Sequence, residues 1–158
     1  MAESKASSKA RTVTGQSTAR RAAKLLAASD PSYVEPTRQE RDAMLVGFAM
    51  HRKVLYGAAF DLVKLDADID LSDPEAIAAN IGAIQVIEVK STNQERIGDD
   101  LKGYFFDLTN AELLVAQKLG DQFKFVFVNI VSGRWQEMSI NEVFGRAKAI
   151  YPSMHIRF

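Results

Sequence analysis

Two acids and one amine are the residues of this chain whose types and spacing bear chemistry. Glu88 and Lys90 end the apolar run Ile84-Gln85-Val86-Ile87-Glu88-Val89-Lys90. That run has the composition of a β-strand, and successive strand side chains point to opposite faces. Ile84, Val86, Glu88 and Lys90 therefore share one face, while Gln85, Ile87 and Val89 share the other. Burying a carboxylate beside an ammonium is costly unless a partner compensates the charge. Asp61 stands in Val54–Leu65, a segment that reads as extended chain with Asp61, Val63 and Leu65 on one face. Two carboxylates converging from neighbouring strands make an all-oxygen site suited to Mg²⁺, with Mn²⁺ as a substitute. The carbonyl of Val89 supplies a further oxygen. A metal of this kind keeps several waters and meets substrate phosphate. It lowers the pKa of a bound water and stabilises charge on a scissile phosphate. A lysine alongside orients or deprotonates that water, its own pKa open to tuning by burial.

The elements that must position these residues are marked by caps and breakers. Thr37 with Glu40, Thr109 with Glu112, and Ser139 with Glu142 each have capping-box spacing. The first opens a helix to about Lys53, with Met44, Leu45, Phe48 and Ala49 as its apolar stripe. The second opens a helix that stops at Gly120, and the third a helix to about Ile150, ahead of Pro152. Ser17 or Thr18 begins a short Ala-rich helix to Ala28, anchored by Leu25 and Leu26, and Asp30-Pro31-Ser32 closes it as a linker. Asp66 to Asn80 is an acidic connection with one helical turn after Asp73-Pro74. Tyr104-Phe105-Phe106-Asp107-Leu108 reads as a short strand or its approach. Phe123–Ile130 is a strand, and Ser132-Gly133 turns it into a hairpin partner, Arg134–Met138. His155–Phe158 adds an edge strand. This alternation predicts an α/β fold with a mixed central sheet flanked by helices.

Composition narrows the function classes. The chain has 158 residues, the size of one domain with an appendage. It has no cysteine, which excludes disulfides, thiol catalysis and Cys-based zinc sites and fits a cytoplasmic location. No apolar run approaches the roughly 20 residues of a membrane span, and the amino terminus lacks a secretory apolar core. Net charge is zero, yet residues 1–30 carry six basic side chains against Glu3 and Asp30, leaving the body acidic. A basic arm of this kind, flexible or helical over residues 1–36, suits a polyanion. Arg11, Arg20, Arg21 and Lys24 in the arm, with Ser91, Thr92, Asn93, Gln94, Arg96 and Lys102 past the acidic strand, are the types that hold phosphates and read base edges. Asp66-x-Asp68-x-Asp70 starts like a calcium loop, but Leu71 and Ile77 stand where glycine and glutamate are needed. His51 and His155 have no partner at ligand spacing.

Asp61 followed by Glu88-Val89-Lys90 at the end of an apolar strand resembles the signature of the PD-(D/E)XK nuclease superfamily, the restriction-endonuclease-like fold. Gly57-Ala58-Ala59-Phe60-Asp61-Leu62-Val63 is similar to that family's glycine-then-acid approach, with Phe60 where the family name has proline. Phe106-x-Leu108-Thr109-x-x-Glu112-Leu113 and Leu119-Gly120-Asp121-x-Phe123 resemble the branch related to the NO VEIN carboxy-terminal domain. The resemblance spans residues 37–140, and residues 37–158 are expected to form the nuclease-like domain. It implies Asp61 and Glu88 as metal ligands and Lys90 as the catalytic lysine. Glu40 matches loosely the extra helical acid of some members. The expected activity is Mg²⁺-dependent hydrolysis of DNA phosphodiester bonds, with a homodimer favoured for cutting both strands. The competing expectations are a non-catalytic nucleic-acid-binding module that keeps the fold, and a structural or partner-binding α/β protein.

Overall fold

The computed structural model describes residues 17–152. All three capping boxes form, each with the serine or threonine oxygen accepting the amide three residues on and the glutamate accepting the cap amide. An N-cap of this kind contributes about 1 kcal/mol to helix stability. Thr37 opens α2 (Arg38–Met50), Thr109 opens α4 (Asn110–Leu119) and Ser139 opens α5 (Ile140–Arg146). They follow α1 (residues 17–29) and, in chain order, enclose α3 (Pro74–Ala79), which starts at the Asp73 cap. Gly120 ends α4 at φ 58°, a conformation natural to glycine. Gly47 of α2 lets α3 approach closely, because a β-carbon there would meet Ile77 Cγ2 at 2.6 Å.

Five strands form one sheet: β1 (Tyr33–Val34), β2 (Leu62–Leu65), β3 (Ile84–Thr92), β4 (Phe123–Asn129) and β5 (Trp135–Met138), in that spatial order. The pairs β1–β2, β2–β3 and β4–β5 are antiparallel, and β3–β4 is parallel across the α4 crossover. The fold is therefore α/β with a mixed sheet flanked by helices. On one face Val63, Ile84, Val86, Phe123, Phe125 and Phe127 pack against α2, α3, α4 and α5. Burying side chains such as Phe123 and Phe125 completely stabilises by about 1.5–3 kcal/mol each. The opposite face, with Leu62, Ile87, Val89, Val126 and Val128, is covered by Ala22, Ala23 and Leu26 of α1.

Several boundaries differ from the sequence reading, each for a local reason. The extended segment before Asp61 is coil and turn, and the strand runs only from Leu62 to Leu65. Its carbonyls are taken by a side chain: Arg41 donates to Gly57 O at 3.2 Å, Phe60 O at 2.7 Å and Asp61 O at 2.7 Å. α2 stops at Met50, three residues before Lys53, because Arg52 takes a left-handed φ of 56°. Residues 104–108 form no strand. Side-chain packing holds them instead, Tyr104 stacking on Phe106 at 5.9 Å and both meeting Phe127 edge-on. α5 ends at Arg146, where Ala147 turns extended. The two-residue β1, directly after the Asp30-Pro31-Ser32 linker, pairs with Val63 and Lys64. Arg11, His155 and the edge strand expected at Phe158 lie outside the described residues.

Candidate functional site

The site lies where β3 runs past the end of β2. The β2–β3 register pairs Leu62 with Ile87, so Asp61 arrives opposite Glu88. The Asp61 amide donates to Ile87 O at 2.8 Å, the last bond of the ladder. Beyond it the chain turns away, and the Asp61 carboxylate takes over: Oδ2 accepts the Val89 amide at 2.9 Å. It is thus the amide of Val89 that is joined to Asp61. Strand alternation carries Glu88 and Lys90 to the face packed by α2 and α4, the face Val86 shares. Lys90 Nζ donates to Glu88 Oε1 at 2.9 Å and to Glu112 Oε2 at 2.8 Å. All three side chains are about nine-tenths buried, and the Phe106 ring closes over the ammonium at 6.0 Å.

Burial in a crowd of like charge sets the electrostatics. Desolvation pushes the Glu88 carboxyl up to about 9, Lys90 pulls it back, and Asp61 and Glu112 raise it again. Desolvation also raises Asp61, against the Val89 amide, Lys90, Arg41 and the neighbouring Glu88 carboxyl, which all favour its ionised form. Burial by itself would lower Lys90, yet Glu88 and Glu112 outweigh it and the ammonium is held more firmly than in water. Two neighbouring carboxyls that cling to protons mark a place short of positive charge. Lys90 serves two of the three acids at once.

Comparison of the chain with known protein families, with characterised proteins and with solved structures finds no match. The site has to be read from its own atoms. Among the described residues no group of three or more His, Cys, Asp or Glu is arranged to hold a metal ion. The donors available to a cation are the paired carboxyls of Asp61 and Glu88. Hard oxygens in that number suit Mg²⁺, which is bound through one or two carboxylates and keeps its waters. Their raised proton affinity is what an added positive charge would relieve. The donor set fits such an ion.

The remaining candidates are placed as follows. Glu40 uses its carboxylate on the Thr37 amide at 2.6 Å. Its neighbour Arg41 is the α2 residue that reaches the Asp61 segment, and its guanidinium also stacks on Phe60 at 4.6 Å. Ser91 accepts the Tyr104 hydroxyl through its carbonyl at 2.9 Å. Thr92 is buried and its hydroxyl accepts the Gln94 amide at 3.2 Å. Asn93, Gln94, Arg96 and Lys102 are exposed on the loop between β3 and α4, with Arg96 Nε donating to Gln94 Oε1 at 3.0 Å. Asn129 fixes that loop from β4 by donating to Gln94 O at 3.1 Å and Ile97 O at 2.8 Å. Arg20, Arg21 and Lys24 lie on the solvent side of α1, across the sheet from Glu88 and Lys90.

Arg41, Glu112 and Asn129 are the residues that sequence reasoning passed over. For Glu112 a signal existed. A crossover helix begins near the carboxyl end of the strand it leaves, so the acid of its capping box is aimed at the end of β3. Arg41 and Asn129 act on main-chain carbonyls far along the chain, and no spacing announces that.

Proposed function

We propose that the chain is a metal-dependent endonuclease hydrolysing DNA phosphodiester bonds, of restriction or repair type, on the restriction-endonuclease-like fold its Glu88-Val89-Lys90 strand resembles. One observation carries this reading. Asp61, Glu88 and Lys90 converge on a single buried face, with the ammonium 2.9 Å from the glutamate and Asp61 tied to the backbone between them. Asp61 and Glu88 would hold Mg²⁺, with the Val89 carbonyl as a further oxygen. When bound, the ion supplies a water of lowered pKa and positive charge against the scissile phosphate.

The chain's own residues set the rest. Lys90 is firmly protonated between the Glu88 and Glu112 carboxyls, so its part is that of a hydrogen-bond donor that positions the attacking water and faces phosphate charge. A proton acceptor is not among its roles while it stays so held. Arg41 keeps Asp61 in place by gripping the carbonyls on either side of its peptide. The exposed Asn93, Gln94, Arg96 and Lys102 extend from β3 as contacts for the sugar–phosphate backbone. One site cuts one strand, so cleavage of both calls for two copies. The test uses supercoiled plasmid incubated with protein and Mg²⁺, with protein and EDTA, and with Lys90→Ala and Mg²⁺. Nicking is expected in the first sample alone, and equal products in all three would end the catalytic reading.

A second reading is favoured by a specific observation: Lys90 already supplies a positive charge to Glu88 and Glu112. A module that binds nucleic acid without cutting it would need no other cation. Calorimetric titration with Mg²⁺ separates the two readings, because only the enzyme takes up the ion, and loses it in Asp61→Ala.

A further inference from the structure

Lys90 has two carboxylate partners, and they differ in what else they are asked to do. Glu88 is the partner that the proposed metal would claim. Glu112 lies on α4, and one of its oxygens is committed to the protein: Oε2 accepts the Thr109 amide at 3.1 Å and the Lys90 ammonium at 2.8 Å. That one oxygen ties the first turn of α4 to the end of β3. Glu112 is among the most buried acids of the described residues, and no helix cap requires such burial: Glu40 caps α2 in the same way with its side chain half-exposed. The capping box accounts for the position of Glu112 and leaves its ion pair unexplained.

We infer that Glu112 is a positioning residue: it is the permanent anchor of Lys90, holding the ammonium against the site when Glu88 turns to another cation. This rests on the nuclease reading for its purpose, though the anchoring itself does not. Without Glu112, a lysine on a four-carbon stem under the Phe106 ring would keep Glu88 as its one hydrogen-bonded carboxyl among the described residues. Any cation taken up by Glu88 would then set the ammonium loose. With Glu112 in place, the amine keeps one charged hydrogen bond throughout.

Capping and anchoring can be taken apart by mutation. Glutamine serves the third position of a capping box as well as glutamate, so Glu112→Gln retains the cap and loses the charge that holds Lys90. Thr109→Ala removes the threonine side of the cap and leaves the ion pair. In Glu112→Gln the turnover rate of plasmid nicking is expected to fall about 10–100-fold with DNA affinity within about twofold of wild type. In Thr109→Ala, turnover is expected to stay near wild type although the melting temperature falls. A readout independent of activity is the ¹⁵N–¹H signal of the Lys90 ammonium in metal-free protein. Hydrogen bonding at 2.8 Å and burial keep it visible, and it should broaden away in Glu112→Gln and persist in Thr109→Ala. The inference is overturned if Glu112→Gln retains both turnover and signal, or if Thr109→Ala loses turnover to the same degree. If wild-type protein does not nick DNA at all, the nuclease reading falls, and the ammonium signal still decides whether Glu112 anchors Lys90.

Discussion

The two faces of β3 carry neighbouring residues of one strand into opposite environments. On the α1 face, Ile87 and Val89 meet Ala22, Ala23 and Leu26, and the ion pair on that face, Lys64 with Glu137 at 2.7 Å, keeps about a quarter of each side chain in solvent. On the other, Glu88 and Lys90 continue the line of Ile84 and Val86, yet end in a buried knot of three acids and one amine. Close packing accounts for Ile87 and Val89 on the first face. The second carries charges whose burial a purely structural design would avoid, since replacing such a group by apolar residues is often neutral or stabilising. The contrast says that stability was set aside locally, on one side of a single strand, for something other than folding.

That comparison can be broken or sharpened by substitution. The largest effect is expected at Lys90. Lys90→Ala leaves Glu88 and Glu112 buried without their cation and should destabilise by about 3–5 kcal/mol near pH 8. The loss should grow above about pH 9, where Glu88 gives up its proton beside Lys90, as urea denaturation at pH 8 and at pH 10 would show. On the opposite face, Leu26→Ala removes a fully buried side chain and should cost about 2–4 kcal/mol at either pH. A pH-dependent loss there would mean that the two faces are not independent.

Glu88→Gln is expected to go the other way. The Glu88 carboxyl sits at about 9 in the folded protein and at its ordinary 4.5 once unfolded. Its favourable contribution is therefore complete below about 4.5 and is lost as the pH rises through about 9. In metal-free protein Glu88→Gln should leave stability unchanged near pH 4 and raise it by about 1–2 kcal/mol near pH 8. A destabilisation at the higher pH would mean that Lys90 needs Glu88 more than Glu88 resists ionisation.

Much of the local structure was legible because it is written in adjacent residues. Capping depends on positions three apart, and all three boxes placed their helix starts correctly at Thr37, Thr109 and Ser139. The hairpin at Ser132-Gly133 was equally plain, with Gly133 at φ 72°. Helix and strand ends were less so. The strand before Asp61 was overextended because nothing in Gly57-Ala58-Ala59-Phe60 reveals that Arg41 will bind its carbonyls. Residues 104–108 looked like a strand because aromatic residues suit strands and aromatic clusters alike.

The sequence by itself determined which face Glu88 and Lys90 share, since the alternation of side chains along an extended backbone is a covalent fact. It also set the partners within each capping box. The tertiary structure alone decided that Asp61 would complete the β3 ladder with its side chain, that α1 would cover the far face, and that Glu112 would reach Lys90. Those three outcomes depend on where elements far apart in the chain come to rest. Their energies come from desolvation and charge, which act through space and leave no period in the sequence.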